Sequence, residues 1–279
     1  MKTRPFLKAA AIALSIATIS GIPASPLAAT ASASITLGDE NHDAKAIKII
    51  EASIEALGGT EKLESIKSQK ITGTISVPMA GISGVVEAYT SMPGKFLFKI
   101  DISGMGTTLQ GLNEGIAWSS DPMGGPRILP PEEAQDIIKE ADLHKALNFR
   151  KNNKIIEYLE ETEFEGQAAH KIRMVDNNGT ESTEYYSVET GLTLGSENEM
   201  DSPMGKITTT TVLKDYKELG GYLQPTTMIQ KMGPTEILFT FDSAEYNKVD
   251  DSVFAFPPAI EALIKATKAK EEAKEEAAP

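Results

Sequence analysis

The sequence predicts a mainly β protein with helices, of the α+β class, built on one antiparallel sheet. Beyond residue 67, apolar and polar residues alternate in short runs divided by turn residues, the period of half-buried strands. Two segments, 43–66 and 130–149, instead place apolar residues at helical spacing. The breaks between the strand runs are too short to hold crossover helices, so consecutive strands pair antiparallel. With 279 residues, 41% of them hydrophobic, the chain has the mass for a sizeable core.

Residues 1–33 come first. Lys2, Arg4 and Lys8 precede an apolar stretch over 9–19, and small residues end at Ala31-Ser32-Ala33. This is the layout of a secretory signal peptide, cut after Ala33 or near Ala29, with an apolar stretch too short to span a bilayer. A flexible leader, 34–43, follows and includes His42. The expected compartment is the periplasm. Without those three cations, 24 basic residues face 40 acidic ones, a net charge of about −16, which argues against nucleic acid and against anionic headgroups as partners. Zero cysteines exclude disulfides, thiolate metal sites and a lipid anchor on sulfur.

In 43–66 the residues Ala46, Ile49, Ile50, Ser53, Ile54 and Leu57 mark one helical face, and Gly58-Gly59 stops it before a short turn at 60–63. Strands are expected over 70–77, 84–91, 95–102, 107–112 and 115–120. Pro130-Pro131-Glu132-Glu133 then opens one helix reaching about Phe149, with Ile137, Ile138, Ala141, Leu143 and Leu147 apolar. Strands resume over 155–163, 168–175, 182–188, 192–198, 206–216, 223–230 and 236–246, making about eleven or twelve. Pro257-Pro258 closes a domain spanning 44–258, and 259–279 is a charged Ala/Lys/Glu tail, a loose helix or disordered.

The strand faces carry the functional signal. Phe96, Phe98, Ile100 and Ile102 share one face of their strand, with Lys95, Leu97, Lys99 and Asp101 on the other; Ile237, Phe239 and Phe241 repeat the pattern on the last strand. So apolar a face must be covered by helices, closed into a barrel or filled by an apolar ligand. Periodicity leaves those choices open, including an interior simply filled by the two helices. Trp118, the single tryptophan, is either core filling or cavity wall. Met79, Met105, Met123 and Met204 lie near turns, and Pro-Met-Gly recurs at 122–124 and 203–205, as paired loops at one rim would have it.

Catalytic chemistry is not signalled. The three histidines, His42, His144 and His170, show no metal-ligand spacing, and no Gly-x-Ser-x-Gly elbow or phosphate loop occurs. Glu160-Glu161 and Asp250-Asp251 fall at strand ends and read as solvated charge rather than a glycosidase pair. The reading is therefore of a protein that is not an enzyme, with no cofactor and no metal.

One stretch, Ile50-Glu51-Ala52-Ser53-Ile54-Glu55-Ala56-Leu57-Gly58-Gly59-Thr60-Glu61-Lys62-Leu63, leads into Ile66-Lys67-Ser68. Residues 111–118, Asp121-Pro122-Met123-Gly124-Gly125-Pro126, Thr190-Gly191-Leu192, Ser202-Pro203-Met204-Gly205, Asp215-Tyr216-Lys217 and Phe254-Ala255-Phe256-Pro257 follow in order. Together, over about 43–258, these resemble a divergent member of the periplasmic lipoprotein-carrier (LolA-like) family, described as outer membrane lipoprotein-sorting proteins. The resemblance implies an incompletely closed antiparallel half-barrel of about 11 strands whose apolar concave face is lidded by helices and takes up acyl chains of a lipoprotein or another lipid. It implies a monomer that works with donor and acceptor proteins of the inner and outer membranes. The candidates that would line the lipid cavity are Phe96, Phe98, Ile100, Trp118, Ile237, Phe239 and Phe241. Those for the lid are Arg127, chosen by position alone, with Ile137, Ile138 and Ala141. The alternative is a lipid-responsive interaction module of the cell envelope that docks a partner protein and carries nothing.

Overall fold

A computed structural model describes residues 41–202 and 205–276. The signal peptide, residues 34–40 of the leader, Pro203 and Met204 lie outside the described residues. Helices α1 (Ala44–Ala56) and α2 (Thr60–Glu64) open the chain, and five hairpins follow through β1 (Ser68–Val77), β2 (Ile82–Ser91), β3 (Lys95–Ile102), β4 (Gly106–Asn113), β5 (Ile116–Asp121) and β6 (Gly125–Ile128). Helices α3 (Pro131–Glu140) and α4 (Phe149–Asn152) come next, then β7 (Asn153–Phe164), β8 (Gln167–Asp176), β9 (Glu181–Ser187) and β10 (Thr193–Ser202). The last strands are β11 (Gly205–Leu219), β12 (Tyr222–Met232) and β13 (Thr235–Tyr246), and α5 (Pro258–Glu276) ends the described chain.

All thirteen strands form one sheet in the order β6-β5-β4-β3-β2-β1-β13-β12-β11-β10-β9-β8-β7, antiparallel throughout. β1 pairs with β13, so the two hairpin series meet in the middle while β6 and β7 remain unjoined edges: an open half-barrel with helices. Irregular registers at Thr72/Gly73, Thr193/Gly195 and Tyr158/Glu160 coil the sheet. At Gly73 a Cβ would lie 2.0 Å from the Thr240 carbonyl oxygen, so only glycine lets β1 and β13 approach there.

The count exceeds the expected eleven or twelve because β6 forms where the sequence predicts no strand. Gly125 and Pro126 look like breakers, yet an edge strand tolerates proline, since an edge N–H need not join the ladder. The single inserted helix is also corrected. It ends at Glu140, and residues 141–148 are irregular before α4. Asp142 causes the break: its carboxylate accepts the His144 amide at 3.0 Å and side-chain amides of Asn148 and Asn152 at 3.1 Å, bonds that compete with helical continuation. His144 therefore sits in that segment, not on a helix. Nor is the end of the leader loose: Asp43 caps α1 through the Lys45 amide at 2.6 Å, and His42 bridges to Ile156 of β7.

A single register row, Ile172, Glu184, Ser196, Thr211, Gln230 and Ile237, crosses β8, β9, β10, β11, β12 and β13. Ile172 packs with Ala46, Ile47, Ile50 and Ile54 of α1, whereas Ile237 packs with Ala134 and Ile137 of α3 and with Ala141 just past its end. Both helices thus cover the same, inner face, α1 near the β7 edge and α3 near the β6 edge. On the outer face, Lys95 pairs with Asp251 at 2.8 Å, the buried Phe254 meets β3 and β4, and α5 meets β6. Ile260 is fully buried, which anchors the charged tail at its start.

Candidate functional site

On the inner face, Phe96, Phe98, Ile100, Ile237 and Phe239 converge in one cluster with Ile75 and Leu112, and Phe241 packs against it half-buried. The Phe239 and Phe241 rings stack 6.4 Å apart. From above, Ile137 of α3 and Ala141 at its C-cap press into this cluster, but Ile138 turns away and is 52% exposed. Trp118 stands apart. Its neighbour Ala117 faces the inner cluster, so strand alternation sends the indole to the outer face, buried against Gly111 of β4. A Cβ on Gly111 would lie 2.6 Å from that ring, which explains the glycine.

Under α3 the inner face is filled by side chains: Ile75 and Phe239 are 0% exposed. Two depressions, of about 830 and 250 Å³, lie on the outer face. The larger is lined by Thr74, Ser76, Ser83, Val85, Glu87 and Lys99, and the smaller by Lys70, Tyr89 and Lys248 among others. The apolar cluster is thus covered by α3.

The attachments of α3 are polar and peripheral. Arg127 on β6 pairs with Glu133 at 2.5 Å. At the other side, Lys139 pairs with Asp176 at 2.8 Å and Gln135 accepts from Asn178 at 2.5 Å, holding α3 to the β8–β9 turn. Beyond α3, His144 Nε2 meets the Ile66 carbonyl at 2.9 Å, and Arg150 of α4 pairs with Glu51 of α1 at 2.6 Å. Of these residues, only Arg127 and His144 stood out in the sequence. The rest carried no local signal, because Gln135 and Asn178 are 43 positions apart and Glu51 and Arg150 are 99 apart.

Burial raises the Asp136 carboxyl on α3 to about 6; Lys139 opposes the rise, while Glu140 and Asp176 add to it. For Asp176 burial works in the same direction, but the Lys139 ammonium and the amides of Thr180 and Asn178 outweigh it and hold the group below the usual carboxylate range. Farther along the inner face, the Tyr186 hydroxyl donates to Glu184 Oε2, and Lys145 contacts both Glu140 carboxylate oxygens at 3.0 Å. Burial holds Glu184 above its ordinary value against the pull of Tyr186 and Lys145. Glu140 holds the Lys145 ammonium above its own. Among the described residues no group of three or more His, Asp or Glu side chains could hold a metal ion, and no helix is long and apolar enough to cross a membrane.

No protein-family model and no curated protein matches this sequence. Solved structures do match its fold. A DUF1329 family protein from Desulfovibrio piger is similar at a TM-score of 0.54 and 10% identity, over 75% of this chain and 97% of its own. A LolA superfamily protein from Nitrosomonas europaea gives 0.54 and 13% over 76% and 97%. An outer membrane lipoprotein-sorting protein domain from Vibrio parahaemolyticus gives 0.50 and 14% over 75% and 97%. At such identities the likeness establishes a LolA-like fold and leaves activity to be argued from the site.

Proposed function

We propose that this protein is an envelope lipid or lipoprotein carrier, exported to the periplasm, which holds acyl chains between the inner face of its half-barrel and a displaceable α3. The observation that supports this reading is the contrast between what α3 covers and how it is held. Beneath it lie Phe96, Phe98, Ile100, Ile237 and Phe239, a surface that cannot stand bare in water. The helix and its C-cap contribute only Ala134, Ile137 and Ala141, whose burial amounts to about 3–5 kcal/mol. Its ion pairs are partly exposed and each adds roughly 0–1 kcal/mol. A long acyl chain recovers about 0.8 kcal/mol for each buried methylene, so one chain offsets the displacement of α3 and leaves a surplus. Phe96, Phe98, Ile100, Ile237, Phe239 and Phe241 then line the lipid, Ile137 and Ala141 are the cover it displaces, and Arg127 is a rim tether. Trp118 and Ile138 take no part in the lining. No step requires bond making, and membrane donor and acceptor proteins would supply and receive the cargo.

The test is direct. Protein purified from a membrane-containing host is expected to carry acyl chains detectable by native mass spectrometry, and delipidated protein to bind a fluorescent fatty acid. A short bifunctional maleimide joining Q135C to N178C, possible because the chain has no other cysteine, should block uptake. No lipid by either route would end this reading.

A further inference from the structure

Across β9 to β13 the inner face divides into two lanes. One is polar: Glu184, Ser196, Thr211 and Gln230 stand side by side in register. Next to it runs an apolar lane, in which Leu213 opposes Met228, Met228 opposes Phe239 and Phe239 opposes Ile75. Tyr186, two residues from Glu184 on the same strand face, stands on the apolar side at the β9 end. Unmet hydrogen-bonding capacity lies beside the polar lane: Thr209 is 6% exposed, and its hydroxyl has no partner.

Charge at the β9 end is unbalanced. Lys145 is the ammonium that acts on both Glu140 and Glu184, and it is already engaged by both oxygens of Glu140. Glu184 accepts from the Tyr186 hydroxyl on Oε2 alone, and its second oxygen has no donor among the described residues. Asp142, near Lys145, is held by neutral amides and adds further negative charge. A half-buried carboxylate facing a surplus of negative charge favours a cation, since a ligand ammonium would satisfy the free oxygen and cancel the excess. Four strand spacings, about 19 Å in all, separate Glu184 on β9 from Phe239 on β13, within reach of a long hydrocarbon chain.

We propose that the Glu184–Tyr186 end of the inner face is a head-group site for an amphiphile bearing an ammonium group, whose chain lies along Leu213, Met228 and Phe239. This rests on the acyl-binding reading above and adds to it a choice among head groups. Burial of Glu184 agrees with it, because the cost of leaving that carboxylate charged is what a bound cation would remove.

The experiment is displacement of a fluorescent acyl probe from the delipidated protein by dodecylamine, dodecanol or dodecanoic acid, each as monomer. Dodecylamine should displace at a concentration at least tenfold below that of dodecanol, and dodecanoic acid should be the weakest. E184Q should erase the advantage of the amine over dodecanol. E140Q, on the end of α3, should reduce the advantage without touching the sheet. E236Q, which removes the same charge from the exposed outer face of β13, should preserve it. Equal displacement by the three probes, preference for the acid, or an equal effect from E236Q would overturn the head-group site while leaving acyl binding intact. Failure of the acyl probe itself to bind would remove the acyl reading, and displacement by none of the three competitors would overturn the head-group site.

Discussion

Asp136→Asn separates the energetics of α3 from those of the sheet. The folded carboxyl titrates at about 6 against an ordinary 3.8, chiefly because of burial. A raised acid is penalised as the anion, so the folded state loses stability as pH rises from about 4 through 6, and the whole penalty is present at pH 7. Taken at face value, the shift corresponds to about 3 kcal/mol. Asp136 is only partly buried and has Lys139 nearby, so solvent screening brings the expected effect down to about 1–2 kcal/mol. Asn keeps the shape and removes the charge. Urea unfolding at pH 7.5 should show D136N more stable than the parent by that amount, and at pH 4 or below the two should converge. Because an acyl chain must displace the closed α3, D136N should also bind a fluorescent fatty acid several-fold more weakly at pH 7.5. Equal stability at pH 7.5, or a gain of the same size at pH 4, would refute the argument that burial of this carboxylate weakens the closed helix.

Phe239→Ala removes a ring that is 0% exposed and should cost about 3–5 kcal/mol in urea unfolding, with fatty-acid affinity falling in the protein that remains folded. Arg127→Ala cuts an exposed tether of the closed helix: stability should change by about 1 kcal/mol or less, while acyl uptake quickens by up to about fivefold in stopped-flow fluorescence. Gly111→Ala drives a methyl against the Trp118 ring and should destabilise by about 1–3 kcal/mol without altering fatty-acid affinity, because that contact is on the outer face. For the same reason, Trp118 emission should stay unchanged on saturation with fatty acid, and a large shift would place the ligand on the other side of the sheet.

Much of the architecture is written in local patterns. Alternation along β3 and β13 identifies the apolar side of each strand, and Asp43 with Gly58 brackets α1, because those signals act within a strand or a few helical turns. β6 is illegible in the sequence because Gly125-Pro126 makes an edge strand look like a turn, and Asp142 ends a helix that its apolar spacing would continue. Trp118 could be assigned to a strand, but alternation within that strand alone does not say which face of the sheet α3 will cover. Tertiary structure made that choice, and it also brought Gln135 to Asn178 and Lys145 to Glu184. Glu184, Ser196, Thr211 and Gln230 become a lane only through the register of four strands, which hairpin lengths and the irregularity at Thr193/Gly195 set together. The chain by itself thus determined which residues seek burial. Only the coiling of thirteen strands decided which of them meet, because a contact across the sheet depends on every intervening register at once.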